Sequence, residues 1–286
     1  MTPRIFSSMI LFALLWVAAS ADVALAQIAV RGETVHTQAG PPIKDGVVLI
    51  RDGKIERVGP ASQVKIPAEY KVLSAKVVTP GLIDARTVVG LSGYLNQPHD
   101  QDQLETSAPM QPELRAIDSY NPREKLVEWV RSYGVTTIHT GHAPGALISG
   151  QTMIVKTQGD GTPYTLLSPA AMIAVTLGNA GLGQSGRSPG TRSKAIAMLR
   201  AELIKAKEYE AKRSSAPDDK KPNRDIRLDA LARVIKGEIP LLVNAHRAHD
   251  ILSALRLAKE FNIKIVLDGA SEAYLVIDQI KSAGGP

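Results

Sequence analysis

The stretch Val77-Val78-Thr79-Pro80-Gly81-Leu82-Ile83-Asp84-Ala85 decides the fold. Its apolar residues follow one another instead of alternating with polar ones, which is typical of a strand buried on both faces of a parallel sheet. Downstream, further apolar strands alternate with helical stretches. Repeated strand–helix units predict a parallel sheet with right-handed crossovers, and their number favours a (β/α) barrel over an open sheet.

The downstream elements follow from hydrophobic periodicity and from capping residues. Strands are predicted over 135–140, 153–156, 172–176, 239–246 and 263–268. Helices are predicted over 123–133, 191–212, 229–236 and 272–282, with one more that Asp250 caps. Gly145 to Gln151 is interpreted as a tight turn between a strand and a helix. About six of the eight units of a complete barrel are present. The sequence thus predicts a fragment, or a natural short form completed by a partner chain.

Upstream of the deciding stretch, residues 27–75 predict short antiparallel strands. Val47 to Ile50 and Lys54 to Val58 are two apolar runs joined through Asp52-Gly53. Asp-Gly accepts the positive φ angles of a type I′ turn, so this pair indicates a hairpin. The interpretation is a small β unit over 27–75, followed by the barrel over 76–286.

The first 26 residues read as a targeting signal. Arg4 is followed by the apolar run Ile5 to Ala19, and Ala24-Leu25-Ala26 has the small residues of a cleavage site. The run is shorter than the roughly 20 residues that span a bilayer. The chain is therefore expected to be exported, to the periplasm or outside the cell, without a stable membrane span after cleavage. An uncleaved N-terminal anchor is the alternative.

The composition of the chain excludes some kinds of catalysis and binding. The 286 residues contain no cysteine, which excludes thiol catalysis and cysteine-ligated zinc. The net charge of +6 is mostly local, because residues 192–224 hold ten Lys/Arg against five Asp/Glu. This segment has one aromatic residue, Tyr209, so it predicts a solvated helix and loop and not a nucleic-acid-binding surface.

Four segments carry a resemblance to a known family: Ile50 to Ile55, Val78 to Ala85, Gly134 to Thr137, and Val243 to Ile251. They resemble the amidohydrolase superfamily, and its imidazolonepropionase-like branch in particular. The resemblance implies an incomplete TIM-like (β/α) barrel preceded by a small N-terminal β-sandwich segment. It also implies a divalent metal, zinc first, at the barrel mouth. Such a metal lowers the pKa of its bound water to about 7, and the hydroxide attacks a non-peptide C–N bond.

The chain departs from the pattern that the family uses to bind this metal. The His-x-His pair of the first barrel strand falls on Arg86 and Val88, neither of which offers a lone pair. The histidine of strand six falls on Gly269, and His246 on strand five is the expected ligand that remains. One imidazole does not hold a hydrolytic zinc, which takes three protein ligands.

Two replacements are conceivable. His139 and His142 are predicted to end strand two, and His246 and His249 to end strand five, so all four are candidate ligands of a rebuilt metal site at one rim. The alternative is that they are polar loop residues. Arg86 is a candidate substrate-binding residue for a carboxylate, or it forms a structural ion pair with Asp268, the second candidate substrate-binding position.

Two functions follow. The first is an amidohydrolase-type enzyme acting on C–N bonds. The second is a non-catalytic homologue that binds a ligand or pairs with an active paralogue. Either would have a small molecule as its partner, and a homo-oligomer is possible in both cases.

Overall fold

The computed structural model describes residues 27–158, 166–183 and 186–284. The predicted signal peptide, residues 1–26, lies outside them. The chain divides between Pro80 and Gly81 into two compact units, which are treated separately below. Within the described ranges, no helix has the length and apolar character needed to cross a membrane.

The first unit is a four-stranded sheet with the order β3-β2-β1-β4. Its strands are β1 (Ile28–Val35), β2 (Ile43–Arg51), β3 (Lys54–Pro60) and β4 (Lys71–Val78). The predicted hairpin is confirmed, because β2 pairs antiparallel with β3 across Asp52 and Gly53, whose φ angles are +52° and +72°. A small core forms on one face of this sheet, from Ala29, Val47, Leu49, Val64 and Tyr70.

The deciding stretch is not the single buried strand that the sequence predicts. It is broken at Thr79-Pro80-Gly81 into β4 and β5 (Leu82–Thr87), which belong to the two different units. Proline has no backbone N–H to donate to a sheet, so the interruption falls there. Leu82 and Ile83 are exposed, because among the described residues β5 pairs with β6 alone and is an edge strand.

The second unit contains two four-stranded sheets, with the orders β5-β6-β8-β9 and β12-β11-β10-β7. Their bounds are β6 (Val135–Thr140), β7 (Ile148–Gln151), β8 (Met153–Lys156), β9 (Leu166–Ser168), β10 (Ile173–Thr176), β11 (Leu241–Ala245) and β12 (Ile265–Gly269). The pairs β5–β6, β10–β11 and β11–β12 are parallel, as predicted.

One segment departs from the parallel pattern and links the two sheets. Thr152 alone separates β7 from β8, and β7 pairs antiparallel with β10 while β8 pairs antiparallel with β6. The predicted turn over Gly145 to Gln151 was therefore wrong, since its second half is the buried strand β7. Because β6 and β10 run opposite to the same segment, β5, β6, β10, β11 and β12 share one direction. The described strands do not close into a barrel.

Helices cover the β10–β12 sheet. The α-helices are α1 (Ala116–Ser119), α2 (Lys125–Ser132), α3 (Arg192–Ser215), α4 (Ile226–Ile235), α5 (Ala248–Phe261) and α6 (Ile277–Ser282). The largest apolar core lies beneath α3, α4 and α5, and includes Leu199, Leu231, Val243, Ile251 and Leu257. A second core under α2 joins Val127 to Ile138 and Val155.

Two helix predictions need correction. Asp250 does not cap α5, because Arg247 stands at the N-cap and Asp250 lies inside the first turn, where its carboxylate bonds Arg192. The Glu272 side chain instead accepts the backbone N–H of Ala248. The predicted helix over 272–282 is a 3-10 turn, Ala273–Val276, followed by the short α6.

Candidate functional site

The carboxyl ends of five parallel strands meet at one rim, which is where α/β folds of this kind form their sites. Four side chains reach this rim from strands: Arg86 from β5, His139 from β6, Asn244 from β11 and Asp268 from β12. His246 follows the last residue of β11 directly. We call this set the mouth cluster.

Arg86 makes the most contacts in the mouth cluster. Its Nε lies 3.8 Å from Oδ2 of Asp268, its Nη1 donates to the Thr87 carbonyl at 3.2 Å, and its Nη2 donates to the His142 carbonyl. The side chains of Arg86 and Asp268 are 16% and 20% exposed. Burial lowers the pKa of Arg86, and the attraction of the nearby aspartates only partly offsets it. The guanidinium thus stands in the mouth as a desolvated, fixed cation.

Asp268 has a second partner, and this one is neutral. Asn244 Nδ2 donates to the same Oδ2 atom at 3.1 Å, which the parallel register explains, because Asn244 and Asp268 are paired positions of β11 and β12. Side chains at paired positions point to the same face of a sheet. The carboxylate is therefore held from its own sheet while it faces Arg86 of the other.

His139 has no lone pair left for a metal. It is buried, its Nδ1 donates to the Ala85 carbonyl at 2.9 Å, and its Nε2 accepts from the Thr152 hydroxyl at 2.6 Å. These two bonds use both functions of a neutral imidazole. Burial lowers the pKa of His139, and the nearby Arg86 cation lowers it further, which fits a neutral ring.

His142 is also buried, but neither of its ring nitrogens has a hydrogen-bond partner among the described residues. Its ring lies over Gly150, where a Cβ atom would be 2.5 Å from the His142 Cδ2 atom. Burial lowers the pKa of His142, with Arg86 as the second cause. The imidazole ring of His142 is a neutral, packed group. The backbone carbonyl of His142, and not its ring, contacts the mouth cluster.

His246 lies at the exposed side of the rim. Its Nδ1 is 2.8 Å from the Ser271 hydroxyl. The ring rests over Gly269, whose φ is +75° and whose Cβ atom, if present, would lie 2.6 Å from His246 Cε1. The position where the family pattern places a histidine is thus one where any side chain would collide with His246.

His249 does not join the other histidines. It lies on α5, is exposed, and its Nε2 is 3.4 Å from Oδ1 of the neighbouring Asp250. Asp250 is buried and bonds Arg192 Nε at 2.9 Å. His249 is therefore part of a charged group between α3 and α5. The interpretation of four histidines at one metal site is not supported by this placement.

The residues present do not fit the metal that the resemblance implies. Over the described parts of the chain, no group of three His, Asp or Glu side chains is arranged to hold a metal ion. Arg86 replaces a donor by a cation, Val88 has no donor atom, and the nitrogens of His139 are engaged. We therefore derive no step through a metal.

Sequence reasoning missed three polar residues that hold the mouth cluster together. Thr152, Asn244 and Ser271 bond His139, Asp268 and His246 respectively. Asn244 carried a usable signal, since it is a polar residue near the end of an otherwise apolar strand. Thr152 and Ser271 lie outside the strands, where a polar residue is ordinary, and gave none.

Comparison with solved structures decides the ancestry. An amidohydrolase from Thermotoga maritima is 26% identical, with a TM-score of 0.85, over 91% of this chain and 68% of that chain. The chain belongs to the amidohydrolase superfamily. No family model matches its sequence, and neither does any curated protein.

More distant amidohydrolase-type structures match as well. N-acetyl-D-glucosamine-6-phosphate deacetylase from Mycobacterium smegmatis is 14% identical, with a TM-score of 0.33, over 84% of this chain and 53% of that chain. Ochratoxinase from A. niger is 14% identical, with a TM-score of 0.34, over 90% and 68%. TM-scores this low carry no argument about this amidohydrolase homologue.

Proposed function

We propose that this amidohydrolase homologue is a non-catalytic binding protein, whose mouth takes a small polar ligand and does not hydrolyse it through a metal-bound hydroxide. One observation carries the proposal: the Arg86 guanidinium lies in the mouth, bonded to the carbonyls of Thr87 and His142 and facing Asp268. A buried guanidinium repels a divalent cation placed beside it, and it cannot ligate one.

The rest of the mouth supports the same reading. Its carboxylate, Asp268, is already shared between Arg86 and Asn244. His246 is held by Ser271, and Gly269 leaves room for its ring.

The second candidate is the family reaction, hydrolysis of a C–N bond. It is favoured by the overall likeness to the Thermotoga maritima amidohydrolase and by His246 at the end of β11. It requires that metal ligands be supplied from outside the described residues. Export through the signal at residues 1–26 is part of both proposals and rests on the sequence alone.

Metal content separates the two candidates. The protein is stripped with a chelator, loaded with Zn²⁺, Mn²⁺ or Fe²⁺, desalted and analysed for bound metal. We expect less than about a tenth of an equivalent in the natural protein. The matched control is the double variant Arg86→His/Val88→His, which restores the His-x-His spacing beside His246. We expect it to retain more zinc than the natural protein, because three imidazoles then point into one mouth.

Two other outcomes would contradict the proposal. Near-stoichiometric metal in the natural protein, lost in His246→Ala and accompanied by C–N hydrolysis, would establish the enzyme and reject the binding protein. Should natural protein and double variant both remain free of metal, Arg86 and Val88 are not what excludes the metal, and the argument from Arg86 fails.

A further inference from the structure

A second surface of this protein, formed around α2, exposes aromatic side chains. Trp129 and Tyr133 on and after α2 are 58% and 69% exposed, and Tyr94 is 54% exposed. The Trp129 and Tyr133 rings meet edge-on, with centroids 5.1 Å apart. Tyr94, Leu126 and Trp129 line a groove of about 550 Å³ together with Lys125, Glu128 and Ser132. We call these seven residues the α2 surface.

Such a cluster is unusual for a free surface. The whole sequence has three Phe, two Trp and seven Tyr, and three of these twelve aromatic residues lie on the α2 surface. Contiguous exposed apolar patches mark interaction sites, and Trp and Tyr are the residues that dominate the energy of protein–protein contacts. The α2 surface therefore has the composition of an interface.

The surface is also held in place. Glu124 caps α2 by accepting the N–H of Leu126, and its other carboxylate oxygen accepts the N–H of Tyr94 at 3.0 Å. This single side chain fixes the segment that carries Tyr94 against the start of the helix. A pre-organised surface loses less conformational entropy when a partner binds.

The charges on the α2 surface indicate the partner. Lys125 and Glu128 line the same groove, one helical turn apart. None of the ion pairs found among the described residues includes Lys125 or Glu128, and the pair nearest to them in the chain is Arg115–Asp118. When two α2 helices meet antiparallel about a two-fold axis, Lys125 of each copy comes within reach of Glu128 of the other. One contact is then made twice, as an isologous interface requires.

We propose that the α2 surface is a homodimer interface, in which two copies of this chain pack their α2 helices antiparallel about a two-fold axis between Lys125 and Glu128, with Trp129 beside the axis, and exchange the Lys125–Glu128 ion pair. The aromatic and aliphatic side chains supply the buried area, and the reciprocal charges set the orientation. Seven residues are fewer than the 20–30 per side of a standard interface, so the dimer is a weak one, dissociating in the range of about 10–100 μM.

The test is a charge swap within one chain, read by sedimentation equilibrium over roughly 2–300 μM protein. Lys125→Glu places like charges opposite each other twice, and Glu128→Lys does the same. We expect each single variant to raise the dimer dissociation constant at least about tenfold. The double variant Lys125→Glu/Glu128→Lys recreates both ion pairs in reverse, and we expect its constant to return to within about threefold of the natural value.

Two more measurements keep the outcome decisive. Trp129 is the sole tryptophan among the described residues, so a blue shift of its fluorescence with increasing protein concentration reports burial at this surface. Tyr274→Ala removes an exposed aromatic residue elsewhere and should leave the dimer unchanged. A natural protein that is monomeric at 300 μM overturns the proposal. So does a dimer that both single variants leave intact, or a double variant no better than the singles.

Discussion

Removing Arg86 should destabilise this protein through the charge that it leaves behind. In Arg86→Met, a side chain of similar length keeps the packing, but Asp268 remains in a site where it is 20% exposed and without its cation. Breaking a buried pair by removing one partner costs about 3–5 kcal/mol. The separation of 3.8 Å and the remaining bond from Asn244 place this case at the lower end, so we expect a loss of about 3 kcal/mol.

The partner variant makes the reasoning testable. Asp268→Asn removes the charge but still offers an oxygen to Asn244. The double variant Arg86→Met/Asp268→Asn leaves no unpaired charge, and buried pairs can be replaced by neutral groups at little cost. We therefore expect the double variant to be more stable than Arg86→Met, with a coupling of about 1–2 kcal/mol in the double-mutant cycle.

Urea unfolding at pH 7.5, followed by circular dichroism, gives the four free energies of unfolding that the cycle needs, for the natural protein and the three variants. Arg200→Met is the matched control, because its pair with Glu260 is about 40% exposed on both sides and should contribute less than about 1 kcal/mol. A loss under about 0.5 kcal/mol in Arg86→Met would refute the idea that the guanidinium neutralises the mouth. Strict additivity of the two single variants would refute the pairing itself.

Three other predictions follow from the same contacts. Burial lowers the pKa values of His139 and His142 in the folded protein, so the unfolded chain binds protons first as the pH falls. We therefore expect the free energy of unfolding to be highest above about pH 7 and to decrease below it, as urea unfolding at pH 7.5 and 5.5 will show. Gly269→Ala should cost about 1–3 kcal/mol, because its φ is +75° and its Cβ would press on the His246 ring; Gly190→Ala, with open space around it, should cost under about 0.5 kcal/mol. Chelator treatment should leave the Tm unchanged within about 1 °C, as measured by calorimetry, since the described residues hold no metal cluster.

Local rules determined much of the fold from the sequence. The hairpin at Asp52-Gly53 is determined by the four residues of its turn, Arg51 to Lys54. Strands β6, β8, β11 and β12 follow from short apolar runs. The loss of the family's metal ligands was equally readable, because it depends on which atoms Arg86 and Val88 carry. Such statements need no knowledge of distant partners, so sequence is sufficient for them.

Local sequence rules did not determine the direction of strand pairing or where a strand is interrupted. Pro80 splits the deciding stretch between two units, and Thr152 separates two strands that join two sheets. A one-dimensional pattern of apolar residues does not say whether the neighbouring strand runs parallel or antiparallel, since both place alternate side chains on the same face. Direction is decided by contacts between residues that are distant in the chain.

The candidate site shows the same division most sharply. Sequence alone established that Arg86 stands where a metal ligand is expected, and that histidines occur near two strand ends. Only the tertiary structure decided what these groups do: Thr152 and Ala85 occupy both nitrogens of His139, and Asp268 faces Arg86 from another sheet. A side chain's donors and acceptors are fixed by its chemistry, but whether they are free depends on which neighbours the fold brings within 3 Å.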